Sequence, residues 1–270
     1  MAQFERILIT GAAGRLGTEL RQGLKHLAKH IRISDRVAIE DVQPHEEVVV
    51  CELGDFEAVM ELTRDVDAIV HFGGAPLEVG FEEILDSNIR GSYHIYEGAR
   101  KNGAKRVIYA SSVHAIGYHG MEDQIDADSP VRPDSLYGVS KNFVESLSRL
   151  YWDKFGIESL CLRIFSSFPE PADRRMLWSW LSFSDCVQYV ERALTCPRLG
   201  HTIGHGISDN RLKVVDDSKA GHIGFHPQDN TEAFRAAMEA KTEVPDPNAP
   251  GVKFIGGWFC ELGHPDDEAK

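Results

Sequence analysis

A chain of 270 residues, 42% hydrophobic and 26% charged, has the composition of a globular protein and can bury a core without disulfides or metals. Asp and Glu outnumber Lys and Arg by 42 to 29, a formal charge of −13, which argues against a nucleic-acid partner because phosphate backbones are held by clustered cations. Five cysteines (Cys51, Cys161, Cys186, Cys196, Cys260) show neither CxxC nor metal-ligand spacing, so no metal and reduced thiols in the cytoplasm are expected. No apolar run approaches the roughly 18 residues of a membrane span. Glu5 and Arg6 followed by the short run 7–10 read as a strand, not as a signal peptide.

Short β-branched runs alternate with amphipathic stretches, the pattern of βαβ units around a parallel sheet. Strands are predicted over residues 6–10, 31–34, 47–51, 68–72, 106–110 and 159–164. Their continuous apolar character marks strands buried on both faces. Helices are predicted over 15–27, 56–64, 81–88 running on to 100, and 137–155. The alternation weakens after Ile164. Residues 166–175 read as a loop broken by Pro169 and Pro171, followed by a helix around 185–195, a strand around 202–207 and an irregular stretch over 244–250. The expected class is α/β, a doubly wound parallel sheet of the Rossmann type forming one domain over 1–270. Residues 165–270 are expected to be mainly a small C-terminal portion of that domain, capping the sheet and shaping a substrate pocket.

The first predicted strand runs into Gly11-Ala12-Ala13-Gly14-Arg15-Leu16-Gly17 immediately before a helix. Glycines in this setting permit a tight turn, close approach of backbone to a pyrophosphate, and tight helix–strand packing. The helix N-terminus then presents free N–H groups to the phosphates. Asp35, at the end of the second strand, is the acid expected about 20 residues on, where it binds ribose hydroxyls and disfavours a 2′-phosphate. NAD is therefore expected over NADP, although the neighbouring Arg36 offers a cation to such a phosphate.

Tyr137-Gly138-Val139-Ser140-Lys141 places a phenol and an ammonium one helical turn apart. An unperturbed phenol, with a pKa of about 10, is a poor base at neutral pH. A nearby ammonium and an oxidised nicotinamide both favour the phenolate. Taken alone, such a pair is a common solvated helix face. Ala110-Ser111-Ser112 changes that reading, because ligands of open α/β sheets bind outside the carboxyl ends of strands. A serine there can donate to a substrate oxygen and steady a developing alkoxide.

In this order, Gly loop, Ser112 and Tyr137-xxx-Lys141 resemble the extended short-chain dehydrogenases. More narrowly, the chain resembles the bacterial uronate dehydrogenases through His71-Phe72-Gly73-Gly74, Asn88-Ile89-Arg90-Gly91, Ala110 to His114, Arg132 to Lys141, Pro169-Glu170-Pro171 with Arg175-Met176, and Phe254-Ile255-Gly256-Gly257. That resemblance implies NAD-dependent oxidation of glucuronate or galacturonate at C1 to an aldarolactone. Tyr137 would be the proton acceptor, Lys141 its partner and Ser112 the holder of the reacting oxygen. Cofactor contacts would come from Gly11, Ala13, Gly14, Arg15, Leu16, Gly17, Asp35, Glu52, Leu53, Phe72, Gly73, Gly74, Asn88, Ala110, Ser111, Lys141 and Ile164.

Substrate contacts would come from Pro76, Ser112, Val113, His114, Tyr137, Phe165 and Arg175, the last clamping the carboxylate with a bidentate fork. Read without the family, Arg175 equally suits a surface cation beside Arg174, and His114 a structural histidine. Val113, Pro76, Phe165 and Val214-Val215 depart from the family's usual residues, and the run 206–210 resembles NAD-dependent sugar-phosphate dehydrogenases of halophiles. A neutral, phosphorylated or sulfonated sugar is therefore the alternative substrate. An epimerase or dehydratase and a redox-sensing NAD binder are weaker alternatives, since Val113-His114 stands where dehydratases carry an acidic pair and the Tyr–Lys pair is intact. A homo-oligomer is expected by resemblance alone.

Overall fold

β1 (Phe4–Thr10) turns Ile7 and Ile9 to one face and Leu8 to the other, all three without exposure. The strand is therefore dry on both sides, as the period of two requires for a covered sheet. In the computed structural model, which describes residues 2–267, β1 is followed by α1 (Arg15–Gly23), β2 (Ala28–Asp35), β3 (Glu46–Val50), α2 (Phe56–Leu62) and β4 (Ala68–His71). Next come α3 (Phe81–Glu83), a π-helical turn over Ile84–Arg90, α4 (Gly91–Asn102), β5 (Arg106–Ser112) and α5 (Leu136–Phe155). Beyond β6 (Glu158–Ile164) lie β7 (Ser166–Ser167), α6 (Met176–Ser179), β8 (Trp180–Leu181), α7 (Phe183–Thr195), β9 (His201–Gly206), α8 (Glu232–Lys241) and α9 (Pro250–Lys253).

Seven strands pair in parallel in the order β3-β2-β1-β4-β5-β6-β9, while β7 and β8 pair only with each other. Ile7 and Ile9 join Leu20, Leu24, Ile33, Leu160, Val190 and Leu194 in the apolar layer beneath α1 and α7. Leu8 joins Val59, Ile69, Ile95, Val107 and Val144 in the layer beneath α2, α4 and α5. Each such side chain contributes roughly 1.5–3 kcal/mol by leaving water, so these two layers dominate the stability of the fold. No helix among the described residues is long and apolar enough to cross a membrane.

Local chemistry sets the ends of the helices. Ser135 caps α5 by accepting from the Gly138 N–H, and Gly156 ends it at φ +68. The predicted helices over 15–27 and 56–64 stop earlier, at Gly23 and Leu62. The unbroken helix predicted from 81 to 100 instead contains the π turn, a device common at functional sites. The portion after Ile164 also does more than cap the sheet: β9 pairs with β6 over six positions, and α7 belongs to the main core.

Candidate active site

The strand order reverses between β1 and β4, and the carboxyl ends of these strands open the crevice used for ligands in sheets of this kind. The Gly loop forms one wall. Gly11 sits at φ +70, and a Cβ there would lie 2.6 Å from the Phe72 carbonyl and 2.7 Å from the Gly73 nitrogen. A Cβ at Gly17 would lie 2.0 Å from the Gly11 carbonyl oxygen. No side chain caps α1 and its first turn carries no acid, which leaves its N–H groups for an anion. Ala13, Gly14 and Arg15 are exposed at the lip, with Leu16 partly covered behind them.

Asp35 accepts from the Ala13 N–H at 3.0 Å and the Arg36 N–H at 2.8 Å, which latches the end of β2 to the loop. The Arg36 guanidinium is exposed and lies 3.8 Å from Glu83, turned toward a carboxylate. A cradle without room for Cβ atoms, an uncapped helix and an acid at the end of β2 fit a dinucleotide.

Leu53 packs against Gly73, while Glu52 is exposed beside it. Gly73 donates to the Thr10 hydroxyl at 3.1 Å, and Gly74 adopts φ +136. Asn88 is buried with both polar groups taken up: its oxygen accepts from the Ala75 N–H at 2.7 Å, and its amide donates to the Ala75 carbonyl and the Ser140 hydroxyl. It staples the loop after β4 to α5. Ser111 and Ser112 point to opposite faces, as neighbours on a strand must. The Ser111 hydroxyl donates to Glu145 at 2.6 Å inside the core, and Ser112 lies at the crevice with its oxygen accepting from the His114 N–H. Ile164 belongs to the core.

The reacting pair is set by three contacts. Glu78 accepts from the backbone N–H groups of Leu136 and Tyr137 at 2.9 and 2.7 Å, capping α5 where the phenol leaves it. A Cβ on Gly138 would lie 2.2 Å from the His114 carbonyl oxygen, so α5 presses directly on the turn that follows β5. Lys141 donates to the Ala110 carbonyl at 2.8 Å and lies 5.0 Å from the centre of the Tyr137 ring. Burial pushes the Tyr137 phenol up to about 12, with the Ser112 hydroxyl acting against it. Burial also pulls Lys141 down to about 7, with the Glu145 carboxylate opposing.

The far wall comes from residues distant in sequence. His114 faces Asp134 through Nδ1 at 2.8 Å, stacks on Phe259 at 3.6 Å and meets the Tyr137 ring edge-on at 5.7 Å. Burial holds its pKa below the ordinary histidine value despite Asp134. Arg175 donates to the Ser166 hydroxyl at 2.7 Å and the Ile255 carbonyl at 2.5 Å, and its buried Nε has no partner. Burial lowers its pKa as well.

Among the described residues Arg175 has no carboxylate within ion-pair distance, whereas the buried Arg163 is held by Glu145 at 2.9 Å and Arg21 by Glu46 at 2.8 Å. Arg174 has a separate task, tying down the end of α8 through Thr242 and Glu239. Val113 and Phe165 turn into an apolar cluster with Ile116, Ile125, Val214 and Ile255 that backs this wall, and Pro76 is exposed on the loop after β4. Glu78, Glu145 and Phe259 join the site without a motif to mark them, and Asp134 joins it from the run Arg132 to Lys141 with no role assigned by the sequence. The pair Gly256-Gly257 is a further sequence signal for this wall, since Cβ atoms there would collide with Asp134 and Arg175 respectively.

Residues 7–193 match the model of the NAD dependent epimerase/dehydratase family. The chain is 49% identical to a uronate dehydrogenase of Pseudomonas putida over 96% of this chain and 97% of that one. It superimposes on the crystal structure of a glucuronic acid dehydrogenase from Chromohalobacter salexigens with a TM-score of 0.96 and 44% identity, covering 97% and 99% of the two chains. A Tyr-to-Ala mutant of the Agrobacterium tumefaciens uronate dehydrogenase, complexed with NAD, superimposes with a TM-score of 0.93 at 43% identity, covering 96% and 98%.

Proposed function

The chain belongs to the NAD dependent epimerase/dehydratase family and, within it, to the uronate dehydrogenases; on that footing we propose that it oxidises a hexuronate, glucuronate or galacturonate, at C1 to the aldarolactone with NAD as oxidant. The observation that carries the choice of substrate is Arg175. A half-buried guanidinium that has an unpartnered, buried Nε and no carboxylate is costly to maintain, and a uronate supplies the missing partner. Ser166 and the Ile255 carbonyl orient the fork from behind.

NAD, when bound, supplies the two-electron acceptor and a positive charge in the crevice. The Gly11–Gly17 loop and the first turn of α1 would hold its pyrophosphate, and Asp35 would hold the ribose hydroxyls. Ser112 donates to the oxygen on C1 and fixes it beside the phenol. The positive charge that NAD would bring opposes the burial that raises Tyr137, and in its phenolate form Tyr137 takes the hydroxyl proton while the C1–H bond gives up its electron pair as hydride and the C–O bond becomes C=O. Lys141, held by the Ala110 carbonyl beside the ring, stabilises that phenolate.

The enzyme works in the cytoplasm, in keeping with five buried, unpaired cysteines. It assembles as a homo-oligomer, for which Val139, Phe143 and Leu150, exposed along α5, offer an apolar face. The test is NADH formation across glucuronate, galacturonate, glucose, glucose 6-phosphate and sulfoquinovose. The two uronates should dominate kcat/KM, and a preference for any other sugar would overturn the assignment.

A further inference from the structure

Asp134 precedes the cap of α5, and its side chain has no exposure. One carboxylate oxygen accepts from the Ser135 hydroxyl at 2.8 Å, and the other lies 2.8 Å from His114 Nδ1. Two glycines make room for it. A Cβ on Gly117 would fall 1.8 Å from Oδ2 and one on Gly256 1.9 Å from the same atom. No Lys or Arg among the described residues forms an ion pair with this carboxylate; its ring partner is His114.

An ionised carboxylate only accepts hydrogen bonds. The nitrogen facing it must therefore carry the proton. In a neutral imidazole the other nitrogen is then a bare lone pair, because each hydrogen bond dictates the tautomer across the ring. That other nitrogen, Nε2, meets no protein partner among the described residues, and the ring is 14% exposed. Stacking on Phe259 and the edge contact with Tyr137 fix the plane of the ring, so the direction of the lone pair is fixed as well. The burial that disfavours imidazolium keeps the acceptor available at neutral pH.

We propose that Asp134 is a positioning residue that locks His114 as the Nδ1–H tautomer, so that Nε2 accepts a hydrogen bond from the sugar hydroxyl on the carbon next to the one oxidised. This rests on the sugar dehydrogenase reading above, and it makes the site demand a donor at that position. It also separates two kinds of recognition: Arg175 reads a charge, and His114 reads a hydroxyl proton.

Long-range ¹⁵N–¹H correlation spectra of histidine-labelled protein test the tautomer without turnover, with the His114 signals identified from their loss in His114→Gln. The parent should show a protonated Nδ1 and a bare Nε2. Asp134→Asn should shift the population toward Nε2–H, because the amide has one acceptor where the carboxylate had two. In steady-state kinetics that variant should raise KM for the uronate about 10-fold with little change in kcat, the signature of a bond present equally in ground and transition states. The loss should vanish for the 2-deoxy uronate. A parent His114 protonated on Nε2, a tautomer unchanged in Asp134→Asn, or an equal KM loss for both sugars would overturn the proposal. Should Asp134→Asn fail to fold, the parent spectrum alone decides. If no uronate is oxidised, the spectrum still reports on Asp134 independently of that failure.

Discussion

Between Gly11 and Gly74 the crevice is walled by backbone; between Asp134 and Phe259 it is walled by side chains. In the first region the important atoms are backbone N–H groups and glycines, and a Cβ at Gly11 or Gly17 would lie within 3 Å of other main chain. In the second, Arg175, His114, Asp134 and Phe259 converge from separate turns and loops, each held by one or two bonds to groups far along the chain. A backbone wall serves a ligand that does not vary. A side-chain wall can be retuned one residue at a time, which suits substrate choice.

The two walls meet at Tyr137, so the largest expected effect is there. Tyr137→Phe should leave NAD affinity within a factor of about 2 and cut kcat by ~10³-fold or more, since it removes the proton acceptor without touching the cradle. Retained turnover would show that another group takes the proton. Gly11→Ala should do the reverse. Its Cβ meets the Phe72 carbonyl at 2.6 Å in a left-handed conformation, so NAD affinity by calorimetry should fall ~10²-fold while the His114–Arg175 wall stays in place. Unaltered NAD affinity would mean that the cradle is not the cofactor site.

Lys141 gives the smallest effect, and it is read in stability. Its ammonium titrates at about 7 in the folded protein against the ordinary lysine value of 10.5, because burial penalises the charge. Between those values the unfolded chain holds more protons, so stability rises with pH across that window and the penalty is complete below it. Lys141→Met should therefore stabilise the cofactor-free protein by ~2–4 kcal/mol at pH 6.5, with the gain fading toward pH 10. Urea denaturation at stepped pH measures this. A gain independent of pH would contradict the burial of a charged lysine.

The same contrast explains what is legible in the sequence. Backbone walls announce themselves locally: the Gly loop, Asp35 and the alternating strands lie in short segments whose residue types admit few conformations. Side-chain walls do not. Asp134 has no role of its own within the run Arg132 to Lys141 until His114 is seen against it, and Glu78 carries no signal until α5 is seen to begin on it. Asn88, which family resemblance assigns to the cofactor, also staples the loop after β4 to α5 through Ala75 and Ser140, a task that no motif announces. The resemblance gives Ser111 to the cofactor and Ser112 to the reacting oxygen; the alternation of β5 separates the two hydroxyls, with that of Ser111 on Glu145 in the core.

We propose that Arg175 lacks a carboxylate in the protein because the substrate brings one. Replacing Arg175 with Met and comparing kcat/KM for glucuronate and for glucose, whose C6 carries no charge, tests it directly. Glucuronate should lose ~10²–10³-fold, as for a desolvated charge pair deprived of one partner, while the slow reaction of glucose should be unchanged. A variant that kept the parent's preference for glucuronate would contradict it.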